Sequence, residues 1–89
     1  SHMPKLNRLF LDNNLIEILE DKSFFGLINL KVLSLENNKI KRIGNITLIG
    51  MIKLEKIVLN INEIEIIEEG SFGQLISLIE INLGKNKFK

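Results

Sequence analysis

The chain repeats itself every 24 residues, and that period excludes most of the ways 89 residues can fold. LNRLFLDNNLI begins at Leu6, LKVLSLENNKI at Leu30, LEKIVLNINEI at Leu54 and LIEINLGKNKF at Leu78, with no insertion or deletion between them. Each copy reads apolar-x-x-apolar-x-apolar-x-x-Asn-x-apolar. A fixed period of about 20–50 residues marks a solenoid, because no unit can close a core alone and stacked units bury one together.

The first half of each copy alternates apolar and polar residues: Leu9-Phe10-Leu11, Leu33-Ser34-Leu35, Ile57-Val58-Leu59 and Ile81-Asn82-Leu83. Period two over a short stretch predicts a strand with one buried face. Successive strands must run parallel, since each is followed by a return long enough for a crossover and far too long for a hairpin.

Four asparagines, Asn14, Asn38, Asn62 and Asn86, hold one slot where the chain leaves each strand. Their amides carry donors and an acceptor suited to turning backbone, and stacked coils would align them as an interior ladder. Further apolar slots follow on the return: Ile16, Ile40 and Ile64; Leu19, Ile43 and Ile67; Phe24, Leu48 and Phe72; Leu27, Met51 and Leu75. With 45% of residues hydrophobic, chance filling of all these slots is on the order of one in several hundred million. Ile28, Ile52 and Ile76 share the slot after the last of these and are expected to pack against the neighbouring coil, or otherwise to form an interface.

On these residues the chain resembles the leucine-rich-repeat family over residues 6–88, and within it the 24-residue "typical" class. Phe24-Phe25-Gly26-Leu27-Ile28-Asn29-Leu30 fits the return-segment signature of that class in full. Phe72-Gly73-Gln74-Leu75-Ile76-Ser77-Leu78 has Gln74 at the glycine slot, and the second repeat has Leu48 in place of Phe while keeping Gly50. The resemblance implies an α/β-type repeat solenoid: a right-handed coil with a parallel β-sheet on its concave face and irregular or 3-10 segments on the convex side. It also implies a binding protein, in an extracellular or cell-surface setting. The Cys-rich caps of the family's receptors are missing. A fragment of a longer array is therefore expected, or a self-assembling module whose uncapped ends pair in a dimer or an end-to-end stack.

Composition removes other functions. Ser1-His2-Met3 reads as a cloning scar preceding a single domain over 4–89, and it holds the only His; there is no Cys. The commonest general base, metal ligand and thiol nucleophile are therefore absent from the rest of the chain. No cofactor, metal or catalytic residue is expected, and the chain is not read as an enzyme. Net charge is +1 with both signs interspersed, which argues against a nucleic-acid surface. No apolar run approaches membrane-spanning length.

Function is expected on the concave sheet, through surface complementarity to a protein partner. Phe10, Val32, Val58 and Ile61 are apolar residues expected in water there, with Phe10 the main anchor. Arg8, Lys31, Lys56, Asp12 and Glu36 would ring them, and Ser34 shares the centre row with Phe10 and Val58. Asp12 and Glu36, on adjacent strands, read first as a solvated acidic row and otherwise as a pair that would attract a basic partner. Asn45-Ile46-Thr47 is an N-glycosylation sequon on the return, which makes Asn45 a candidate acceptor.

Overall fold

A computed structural model describes residues 5–88; Ser1-His2-Met3, read above as a cloning scar, lies outside them. Six short strands follow in chain order: β1 (Arg8–Phe10), β2 (Val32–Ser34), β3 (Arg42–Ile43), β4 (Lys56–Val58), β5 (Ile66–Ile67) and β6 (Glu80–Asn82). One from each repeat enters a parallel sheet in the order β1-β2-β4-β6. The register matches the repeat residue for residue, Leu9 beside Leu33, Leu33 beside Ile57 and Ile57 beside Ile81. A 24-residue slip is the smallest shift that keeps every apolar slot inward, so the hydrophobic pattern alone pins this register.

The core runs as a column through the coils. Every apolar slot of the second repeat, from Leu30 to Met51, is buried to 1% exposure or less, and Leu54, Ile57, Leu59 and Ile64 continue it. The first repeat closes one end less completely, with Leu6, Leu9, Leu11, Ile16 and Leu19 only partly buried against this column.

The return segments contain no helix among the described residues. They are turned by backbone bonds of 3-10 spacing instead: Ser23 N–H to Glu20 C=O (3.1 Å), Leu27 to Phe24 (3.1 Å) and Leu30 to Leu27 (3.2 Å). The next coil repeats the series with Thr47 to Gly44 (3.4 Å), Met51 to Leu48 (3.4 Å) and Leu54 to Met51 (3.1 Å). Such bonds shorten the path from the end of one strand to the start of the next. A second two-stranded parallel sheet, β3-β5, sits on this path. It pairs Arg42 with Ile66 and Ile43 with Ile67, and the sequence reading did not anticipate it.

The isoleucine stripe corrects an expectation. Ile28, Ile52 and Ile76 remain 55%, 50% and 83% exposed rather than packing between coils. Their predecessors Leu27, Met51 and Leu75 fill the inward position of each turn, and the next residue then points out.

Candidate functional site

The rigidity of the concave sheet begins with the asparagine slot. Asn62 Nδ2 donates to the carbonyls of Leu35 (3.0 Å), Leu59 (3.1 Å) and Asn60 (3.3 Å), while its Oδ1 accepts from Ile40 N–H (3.0 Å). Asn38 repeats the set one coil earlier with Leu11, Leu35, Glu36 and Ile16. Asn86 repeats it one coil later with Leu59, Leu83, Gly84 and Ile64. Each amide therefore ties two successive coils where the chain leaves the strand and satisfies groups that burial would otherwise orphan. Asn14 has no earlier coil among the described residues, and its amide reaches only Leu11 and Asp12. These asparagines are structural, and their donors point at backbone.

A second ladder escaped the sequence reading. Ser23, Thr47 and Ser71 share one return slot, and Ser71 Oγ donates among the carbonyls of Glu68 (2.6 Å), Gly44 (3.2 Å) and Ile43 (3.3 Å). A hydroxyl recurring every 24 residues was the available signal.

On the concave face the centre row brings Phe10, Ser34, Val58 and Asn82 side by side. Phe10 stands 61% exposed. Ser34 and Val58 do not stand in water, being only 5% and 9% exposed. They occupy the two inner strands with a neighbour on each side about 4.8 Å away. Ser34 Oγ donates to Asp12 Oδ1 at 2.5 Å, a further reason it is enclosed on the concave face. Val32 is half-buried, for the same reason of position on an inner strand. The expected patch of four apolar anchors is therefore reduced to Phe10 at one side and Ile61, 40% exposed, at the other. Ile79, 83% exposed, joins them on the last coil and was not singled out in the sequence.

The charged ring is partly committed to structure. Arg8 and Lys31 are exposed, whereas Lys56 is half-buried and reaches Glu80 at 3.5 Å. Asp12 Oδ1 accepts from Glu36 N–H at 3.1 Å as well as from Ser34, so it braces the second coil rather than waiting for a basic partner. Asn60 Oδ1 does the same for Gly84 N–H (3.0 Å) two coils on. Glu36 is half-buried beside Asp12.

Ile61 carries backbone strain. Its φ is +57°, as at Asn13, Asn37 and Lys85 in the same slot. Asparagine tolerates this left-handed conformation, but a β-branched residue there is an outlier that costs about 1–2 kcal/mol. Asn37 Nδ2 donates to Asn13 Oδ1 at 2.7 Å, and Ile61 interrupts this outer ladder.

Asn45 is exposed on the return turn. Its backbone is held on both sides, with N–H donating to Glu68 Oε1 (2.8 Å) and C=O accepting from Gln74 Nε2 (3.1 Å).

Comparison with known proteins agrees with this geometry. A family model described as leucine rich repeat matches residues 4–64. A chain in the crystal structure of a TLR13–ssRNA13 complex superposes with a TM-score of 0.87 at 32% sequence identity. That match covers 91% of this chain, which spans 11% of the other. No curated protein matches the sequence. The repeat, its parallel sheet, its asparagine ladder and these matches place the chain in the leucine-rich-repeat family.

Proposed function

We propose that this chain is a recognition module that binds a protein partner on its concave sheet. The observation that carries the reading is Phe10, a large aromatic left mostly in water on a sheet whose neighbours are locked by the asparagine ladder. Aromatic side chains on rigid elements supply much interface energy at little entropic cost. The face is also charge-balanced: Arg8, Lys31, Lys56 and Lys85 oppose Asp12, Glu36, Glu55 and Glu80. That mixture suits a protein better than the phosphate backbone of an RNA such as the one in the TLR13–ssRNA13 complex, which favours a basic track.

The test compares the parent protein carrying Phe10→Asp with one carrying Ile52→Asp on the opposite face. Both should keep the circular dichroism of the unmodified protein. Only Phe10→Asp should release a captured protein partner; equal retention by both would move the site off the concave sheet. Fluorescence anisotropy with a labelled single-stranded RNA provides the second arm, and submicromolar RNA binding lost with Lys31→Glu would replace the protein reading.

A second reading is self-assembly by end-to-end stacking. It is supported by Ile81 and Phe88, which retain 39% and 46% exposure at core slots of the last coil, and by Arg8 and Glu80, which share one row at opposite ends of the sheet. Light scattering over a hundredfold concentration range separates the two, with Leu83→Lys expected to shrink any oligomer. An extracellular setting, with Asn45 as a glycan acceptor, rests on the repeat class and the exposed sequon; a mass shift on secretion, lost with Asn45→Gln, is its check.

A further inference from the structure

We propose that the return face carries a second binding site, a groove over Gly44 that takes an alkylammonium group, the head of a lysine side chain. It lies off the concave sheet and does not depend on that sheet binding anything. Glu20, Gly44 and Glu68 share one slot in successive repeats, so the missing side chain opens a gap between two carboxylate-bearing coils. The glycine is not there for its backbone, because Gly44 lacks the positive φ of Gly26, Gly50 and Gly70.

What surrounds the gap points to a cation. A Cβ on Gly44 would lie 3.1 Å from Thr47 Oγ1, 3.5 Å from Glu68 Oε1 and 3.7 Å from Asp21 Oδ1. Oxygens from three coils thus converge around one vacant place. Thr47 is independent evidence beside the carboxylates. It lines the groove, is 1% exposed, and its Oγ1 lacks a hydrogen-bond partner among the described residues. Its counterparts Ser23 and Ser71 both donate to the carbonyl three residues back. A buried hydroxyl left unpaired is destabilising, and such an atom in a native fold calls for an occupant.

The groove has a volume of about 650 Å³ and is lined by Glu17, Glu20, Asp21 and Glu68 against Lys41 and Arg42. Arg42 is already paired with Glu68, so the remaining balance is negative. Glu68 Oε1 gives one lone pair to Asn45 N–H and keeps the other, so the three oxygens can still accept from the three N–H donors of an ammonium group. Ile18 and Leu19 in the wall supply apolar surface for a methylene stem, the arrangement a lysine side chain adopts when its head is held. No group of three or more Asp, Glu, His or Cys residues is placed to hold a metal ion among the described residues, which favours an organic cation.

The experiment is an NMR titration of the isotopically labelled chain with Nα-acetyl-lysine methylamide, using Nα-acetyl-norleucine methylamide as the uncharged isostere. Saturable shifts at the amides of Gly44, Asn45 and Thr47 are expected with the lysine compound alone. Gly44→Ala, which fills the gap, should abolish them. Asp21→Asn, at an exposed position that does not threaten the fold, should weaken binding about tenfold, the loss of one charge-assisted hydrogen bond. Absent shifts, equal shifts with norleucine, or undiminished binding by Asp21→Asn would each overturn the site. Displacement of the lysine compound by calcium at equal concentration would overturn it in favour of a metal.

Discussion

Leu33 and Ile81 occupy the same slot, the middle of a strand with the side chain turned inward by the same alternation. Leu33 is fully buried, whereas Ile81 keeps 39% of its surface. Asn62 and Asn14 differ in the same way: one amide serves four backbone groups across two coils, the other two within its own. The motif is constant and the energy is not. In a solenoid the contribution of a residue is set by whether a coil lies on each side of it, so stability behaves as a sum over nearest-neighbour interfaces.

The sharpest way to break this comparison is to truncate both members of a pair. Leu33→Ala should lower unfolding free energy by about 4 kcal/mol, since the column above and below it cannot collapse into the cavity. Ile81→Ala should cost about 1 kcal/mol or less. Urea titration reads both, and equal midpoint shifts would show that the ends are as well packed as the middle. The asparagine pair comes next. Asn62→Ala orphans Ile40 N–H and inner carbonyls and should cost about 2–3 kcal/mol, while Asn14→Ala should cost about 0.5 kcal/mol by the same measurement.

Ile61 sharpens the comparison from the other direction, because a substitution there should stabilise. Ile61→Asn relieves the strained φ and extends the Asn13–Asn37 ladder, a gain of about 1 kcal/mol. Differential scanning calorimetry should then show Tm rising by about 5 °C; a fall would mean that the apolar contacts of Ile61 outweigh its strain. The smallest effect is expected at Lys56–Glu80. Both side chains are more than two-fifths exposed, so a double-mutant cycle should give a coupling of about 0.5 kcal/mol or less.

Much of the fold was legible because the repeat places the same side chain in the same environment each time. Two dozen apolar slots and four asparagines can then be read as columns before any coordinate is known. The site was less legible. Alternation says that Val58 points to the concave face but cannot say that it is nearly enclosed there, which depends on having strands on both sides. Nor does a sequence reveal that the Asp12 carboxylate is spent on Glu36 N–H, or that Ile28, Ile52 and Ile76 lie just past the inward turn position. The Ser23–Thr47–Ser71 ladder was readable in principle, since it obeys the same period as the others.

The sequence by itself determined the period, the parallel register and the identity of the core, because hydrophobic burial and strand alternation act through spacing along the chain. Tertiary structure alone decided which concave residues keep their solvent, which inner groups go unpaired, and where a missing side chain at Gly44 opens a groove. Those outcomes depend on what the coils on either side present at the same height, and adjacent coils meet only when the chain has folded.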